Sequence, residues 1–248
     1  MSSKRLEGRV AVVTGASRGI GYFAAKKLAE EGAHIIAIAR TVGGLEELDD
    51  EIQQVGSSAT LVPLDLTDFD AIDRLGAAIF ERWKKLDILV GNAGILGPTS
   101  PLGHIDPKKF DDVLKINVTA NWRLIRSLDP LLRQSDAGRA VFLTSAASLR
   151  CRAYWGPYNI SKAALEALVH TYVNETRKTN VKSMLVNPGA MRTGMRAKAM
   201  PGEDPMTLPH ASEVSDDIVR FCVPESEENG RIYDFQIKAL RDFAEPSY

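Results

Sequence analysis

Two rhythms of apolar and polar positions alternate along this chain. Short apolar runs rich in β-branched residues, "RVAVVTG" (9–15), "HIIAIAR" (34–40) and "TLVPLDL" (60–66), are separated by "IGYFAAKKLAEEG" (20–32) and "LEELDDEIQQVG" (45–56), where apolar residues recur at helical spacing. The alternation continues through a helical stretch over 71–85, "LDILVGNAG" (86–94), a long helix over about 107–133, "GRAVFLTS" (138–145), a helix over about 158–178 and "VKSMLVNPG" (181–189). The strands are almost continuously apolar, as expected where helices cover both faces of a parallel sheet. The pattern predicts the α/β class: a doubly wound, mostly parallel sheet with helices on both faces, in a single domain over 1–248.

The segment 190–212, "AMRTGMRAKAMPGEDPMTLPHAS", breaks the rhythm with proline and methionine and no clear period. It predicts a long irregular insertion after a strand end, the place where lids and binding segments sit. Its Met191, Met195, Met200, Met206 and Leu208 suit water exclusion over a ligand. A last helix, "SEVSDDIVRFC" (212–222), and a last strand, "GRIYDF" (230–235), are expected to close the domain.

Composition narrows the classes. With 248 residues, 44% hydrophobic and 25% charged, the chain reads as a soluble globular protein. Its 31 basic and 32 acidic residues give a net charge of -1, so neither nucleic acid nor a membrane surface is expected as a partner. The opening residues lack a signal-peptide apolar region and no run reaches spanning length, which points to the cytoplasm. Cys151 and Cys222 have no metal or disulfide spacing and are expected to be small buried apolar residues. His34, His104, His170 and His210 share no ligand spacing, so no metal is expected. Acceptor-type triplets at Asn117, Asn159 and Asn174 carry no weight without a secretory signal.

Candidate chemistry gathers at strand ends. "TGASRGIG" places Gly15, Gly19 and Gly21 at a strand-to-helix turn, where bare backbone and free helix N–H groups favour a pyrophosphate, although a tight turn needs glycine for its own reasons too. Asp65, the "NAG" of Asn92, Ala93 and Gly94, and the "PG" of Pro188 and Gly189 fall at other strand ends on the same side, lining one crevice. Asp65 suits an adenine amine. Tyr158 and Lys162 lie four apart, hence on one helix face, where an ammonium can stabilise a phenolate. Ser145 ends a strand at the same crevice and suits holding a substrate oxygen. Asn117, mid-helix, is either a surface residue or a break in the helix near the site.

On "TGASRGIG", Asp65, "NAG", Asn117, Ser145, "YNISK" and "NPG" followed by Thr193, the chain resembles the short-chain dehydrogenases/reductases over nearly its full length. The resemblance implies a Rossmann-type fold and hydride transfer between a nicotinamide cofactor and a small-molecule carbonyl or secondary alcohol. It implies Tyr158 as acid/base, Lys162 lowering its pKa and holding the nicotinamide ribose, Ser145 orienting substrate, and Asn117 supporting a water relay through Lys162. The cofactor-binding set it implies is Gly15, Ser17, Arg18, Gly19, Ile20, Gly21, Arg40, Asp65, Leu66, Asn92, Ala93, Gly94, Tyr158, Lys162, Pro188, Gly189 and Thr193, the last contacting the carboxamide. NADP(H) is expected over NAD(H), because Ala39 stands where an NAD enzyme of the family places Asp, with Arg40 and Arg18 nearby to meet a 2'-phosphate. A 3-oxoacyl thioester is one substrate the family would allow, although "AASLRCRAYWGP" differs from what such reductases carry. A homo-oligomer, dimer or tetramer, is implied, although the tail after "GRIYDF" lacks the usual closing glycines and Gly91 replaces a common Asn. A non-catalytic dinucleotide-binding or scaffold protein on the same fold is the alternative. An epimerase or dehydratase would call for a larger substrate region than 190–212.

Overall fold

The structure, a computed structural model, describes residues 4–243. In chain order its elements are β1 (Val10–Thr14), α1 (Gly19–Glu30), β2 (His34–Ala39), α2 (Val42–Gln54), β3 (Ala59–Pro63), α3 (Phe69–Trp83), β4 (Ile88–Gly91), α4 (Pro107–Leu114), α5 (Ala120–Leu132), β5 (Arg139–Leu143), α6 (Ala147–Arg150), α7 (Gly156–Thr176), β6 (Lys182–Asn187), α8 (Gly194–Ala199), α9 (Ser215–Arg220), β7 (Arg231–Asp234) and β8 (Ala239–Asp242). The strands form one sheet in the order β3-β2-β1-β4-β5-β6-β7-β8, parallel except for the antiparallel β7–β8 pair. The chain winds outward from β1 to β3 and then returns to set β4 against the other side of β1. That reversal opens a crevice at the carboxyl ends of β1 and β4, where open α/β sheets bind ligands.

Successive strand residues face opposite layers. Ala11 and Val13 pack with Leu28 of α1, Leu45 and Leu48 of α2 and Ile218 of α9. Val10 and Val12 pack with Ile72 and Ile79 of α3, Leu124 and Leu128 of α5, and Leu165 and Val169 of α7. Both layers are buried, as the continuous apolar strands predict.

The opposite, amino-terminal edge of the sheet is clamped by one acid. Asp87 is fully buried; its carboxylate accepts from the Val10 N–H (2.9 Å), Ser135 Oγ (2.6 Å), Arg9 Nη1 (3.2 Å) and Lys85 Nζ (2.9 Å). Its backbone pairs with β1 and with the start of β5. Asp87→Ala leaves Lys85, the Ser135 hydroxyl and a buried N–H without their acceptor and removes one of the two acids that Arg9 meets. The expected loss is about 3 kcal/mol or more, measured by urea unfolding.

Several boundaries differ from the sequence pattern. The helix expected from 71 starts at Phe69, because the Asp68 side chain accepts from the Ala71 N–H (3.0 Å) and caps it. The expected single helix over 107–133 is α4 and α5 joined by a π turn at Lys115–Thr119. Segment 190–212 is not wholly irregular: it contains α8 and a 3-10 turn at Pro205–Thr207. β8 adds a strand after the one expected to be last, and α6 is an unforeseen helix of four residues. These short pieces hold too few residues to show a period. No helix among the described residues is long and apolar enough to cross a membrane.

Candidate functional site

Thr14, the last residue of β1, is fully buried. Its hydroxyl accepts from the Asn92 and Ala93 N–H groups (3.0 and 3.1 Å) and lies 3.3 Å from the Val90 carbonyl. The Asn92 side chain donates in return to the carbonyls of Thr14 (2.9 Å) and Gly15 (3.4 Å). The turns on either side of the switch point are thereby tied together. A Cβ on Gly21 would stand 2.5 Å from the Gly15 carbonyl oxygen, so α1 approaches its own turn only because residue 21 is glycine.

The first turn of α1 has no capping side chain at Arg18 and no acidic residue, and the same is true of α2 after Thr41. Both helices therefore offer unsatisfied N–H groups and a positive end to an anion. A Cβ on Gly44 would lie 2.6 Å from the Ser17 carbonyl oxygen, which shows how closely the start of α2 packs on the glycine turn. Near Gly19 the crevice is open: the nearest atom to a Cβ there would be Thr193 Cγ2, at 3.7 Å. Two bare helix ends, a glycine turn and open space between them fit a dinucleotide pyrophosphate.

At the rim, Arg18 and Arg40 are exposed. Arg40 Nη1 lies 3.7 Å from Asp65 Oδ2. Asp65 also accepts from the backbone and hydroxyl of Thr67 (2.9 Å each), and these bonds with the Arg40 charge hold its carboxyl below the usual range. Leu66 belongs to the core layer under α3, α5 and α7, and Ile20 packs against the layer on the other face of the sheet, so both side chains serve packing and leave backbone for a ligand. Pro188 is buried, and the Gly189 N–H donates to Asn187 Oδ1 (3.1 Å).

Tyr158, Ser145 and Lys162 lie beside this crevice. Tyr158 is 8% exposed, its ring edge-on to Trp155. Burial pushes its phenol up, and the Ser145 side chain draws it back down. Lys162 is buried; its ammonium donates to the Leu143 carbonyl (2.7 Å) and stands 5.7 Å from the Tyr158 ring centre. Burial brings Lys162 down to about 8, with the charge of Glu166 acting against it. Lys162 and the phenol are thus adjacent on one face of α7, with the ammonium bonded to a β5 carbonyl.

Asn117 is fully buried, so it is the break in the helix and not a surface residue. Its Oδ1 accepts from the Ile95 N–H (2.8 Å), and its Nδ2 donates to the Ile95 carbonyl and Ser161 Oγ (2.9 Å each). A Cβ on Gly94 would meet Asn117 Oδ1 at 3.2 Å and Lys162 Nζ at 3.8 Å. The π turn thus fastens the "NAG" turn to α7 just where Lys162 arrives.

Residues 9–204 match the sequence model of the short chain dehydrogenase family. The chain belongs to the short-chain dehydrogenases/reductases. An Escherichia coli oxidoreductase, YciK, is 35% identical over 212 residues, which cover 84% of either chain. A short-chain dehydrogenase structure from Pseudomonas syringae superposes with a TM-score of 0.91 at 36% identity, covering 94% of this chain and 97% of that one. Another, from Escherichia coli and complexed with NADPH, gives a TM-score of 0.90 at 33% identity over 95% of this chain and 100% of that one.

In this short-chain dehydrogenase/reductase the site depends on residues that sequence reasoning passed over. Thr14 and Gly44 hold the glycine turn. Asn187 Oδ1 accepts from the Ala146 N–H (3.2 Å) as well as that of Gly189, linking the Ser145 turn to the "NPG" turn. Its place directly before Pro-Gly at a strand end is its one mark in the sequence, and that mark is ordinary by itself.

The segment 190–212 is pinned at its base: the Arg192 N–H donates to the Pro209 carbonyl (2.9 Å) and His210 packs edge-on to Phe23 of α1. Within it, Arg196 makes a two-pronged bond to Glu203 (2.6 Å each), and Thr193 caps α8. A cavity of about 460 Å³ lies inside, lined by Arg192, Thr193, Met200 and Leu208 among others. Met191 is 2% exposed and belongs to the main core, so it is not a lid residue, while Met206 is 70% exposed. Cys151 is exposed, against the expectation of burial, because it ends α6 in the left-handed region at φ 43.

Proposed function

We propose that the protein is an NADPH-dependent oxidoreductase of a carbonyl or secondary alcohol substrate, with Tyr158 as general acid/base. The observation that carries this reading is the convergence of Tyr158, Ser145 and Lys162 beside a crevice suited to a dinucleotide. A scaffold protein needs no buried phenol next to a buried ammonium. The cofactor, when bound, supplies or accepts the hydride.

The chain's own residues handle the oxygen. In the reducing direction, the Tyr158 hydroxyl gives its proton to the substrate oxygen while the Ser145 hydroxyl donates a hydrogen bond to that oxygen. The phenolate left behind faces the Lys162 ammonium in a buried setting, where the attraction between opposite charges is stronger than in water. In the oxidising direction the phenolate takes the alcohol proton. Arg40, Arg18 and the uncapped start of α2 support NADP(H) over NAD(H), since a 2'-phosphate there meets two guanidinium groups and a helix end.

A screen of carbonyl compounds, 3-oxoacyl thioesters among them, monitored by loss of NADPH absorbance, tests the reading. Turnover of a ketone or aldehyde is expected, and NADPH consumption with none of the panel argues for the scaffold alternative only if NADPH still binds. The segment 190–212 acts as a lid in this reading. Its amide hydrogen exchange is expected to slow when cofactor and substrate are added together, and unchanged exchange removes the lid role.

A further inference from the structure

Helix α7 carries one more buried charge than the proposed chemistry uses. Glu166, one turn beyond Lys162, is 6% exposed. Its Oε1 accepts from Thr144 Oγ1 (2.5 Å) and from Ser148 Oγ (2.8 Å). These two hydroxyls bracket Ser145. Thr144 precedes it on the chain, and the Ser148 N–H donates to the Ser145 carbonyl (3.1 Å), whose oxygen also lies 2.9 Å from Ser148 Oγ, so that one hydroxyl proton is shared between this carbonyl and Glu166.

A buried carboxylate whose partners are neutral hydroxyls is poorly compensated, and so is a buried ammonium bonded to a carbonyl. Glu166 and Lys162 are such a pair, on one helix and four residues apart. The other groups that come close to Lys162 are uncharged as they stand: the Tyr158 phenol on α7, the Leu143 carbonyl of β5, Asn117 of the π turn and Gly94 after β4. Among the described residues no acid, Glu166 included, stands within ion-pair distance of Lys162, so the attraction between the two charges acts across one buried helical turn.

We propose that Glu166 is a positioning residue of this site, its carboxylate fastening the turn that bears Ser145 and supplying the countercharge to Lys162. The inference rests on the proton-transfer roles proposed above. Neither function involves contact with substrate: Glu166 lies beneath Ser145 and acts through its neighbours. Burial draws Lys162 down to about 8 even with the charge of Glu166 resisting it.

Two sets of variants separate the two halves. Glu166→Gln keeps an oxygen acceptor for Thr144 and Ser148 and deletes the charge, while Glu166→Asp keeps the charge. The Lys162 side-chain resonance, followed by NMR in lysine-labelled protein and assigned with Lys162→Met, is expected to titrate about 1 pH unit or more lower in Glu166→Gln and close to wild type in Glu166→Asp. The alkaline limb of kcat/KM is expected to move toward neutral pH in step, because neutral Lys162 appears earlier as pH rises. A Lys162 titration unchanged in Glu166→Gln overturns the countercharge half. Thr144→Val with Ser148→Ala strips the carboxylate of its donors but leaves both charges. It is expected to lower kcat on the order of 10²-fold with NADPH affinity kept, as Ser145 drifts from its place. Unchanged kcat in this double variant overturns the fastening half. The NMR titration requires no turnover, so failure of the oxidoreductase reading shows only in the carbonyl screen.

Discussion

Tyr158→Phe is expected to lower kcat about 10²- to 10⁴-fold while NADPH affinity stays within a few-fold of wild type. The change removes one oxygen and almost no volume. The ring, 8% exposed and packed edge-on to Trp155, keeps its place, so the fold and the glycine crevice are undisturbed. What disappears is the phenolic proton beside Ser145 and Lys162. Steady-state kinetics on the best substrate of the carbonyl screen, with cofactor affinity from fluorescence titration, give the two numbers. Retention of more than half the wild-type kcat would mean that another group transfers the proton.

The second large effect concerns cofactor choice. Wild-type kcat/KM is expected to favour NADPH over NADH by about 10- to 1000-fold, since each 1.4 kcal/mol of differential binding is roughly tenfold. Ala39→Asp with Arg40→Ile is expected to collapse or invert that ratio. Ala39 is 7% exposed at the end of β2, so an Asp there would place a carboxylate at the mouth of the crevice beside Asp65, which already stands 3.7 Å from the Arg40 guanidinium. Removing the guanidinium at the same time leaves Asp65 without its nearby cation, held by Thr67 alone, and a 2'-phosphate facing two acids. Equal use of both cofactors by the wild type, or an unchanged ratio in the double variant, would show that Arg40 and Arg18 are solvated surface charges.

What could be read from sequence and what could not divide along a physical line. Strands buried on both faces leave runs such as "HIIAIA", and glycines forced by close approach leave "TGASRGIG"; both are local signals, and the sheet, its helices and the crevice followed from them. Thr14, Asn187 and Glu166 leave no such trace. A Thr at a strand end, an Asn before proline and a Glu on a helix are ordinary alone; they matter because Thr14 meets Asn92 across 78 residues and Asn187 meets Ala146 across 41. The depth at which Tyr158 and Lys162 are buried leaves no trace in the sequence for a related reason. Spacing put Lys162 on the same helix face, but burial and the Leu143 carbonyl, which decide the electrostatics, come from β5. Cys151 and Met191 were misplaced because the four-residue α6 and the strand end before 191 show no period from which burial can be inferred.

The Asp87 clamp lies at the amino-terminal edge of the sheet, while the groups proposed for chemistry lie at the carboxyl edge. Substitutions in the 190–212 segment or in the loop around Cys151 therefore alter the rim of the crevice without loosening the interactions that join β1, β4 and β5. Such a molecule can exchange one substrate preference for another through surface drift alone, because anchorage and selectivity answer to different residues. By the same logic, variants selected for a new ketone should keep the wild-type unfolding midpoint, and the mutations they accumulate should cluster at one end of the barrel-less sheet, leaving Arg9, Lys85, Asp87 and Ser135 as found.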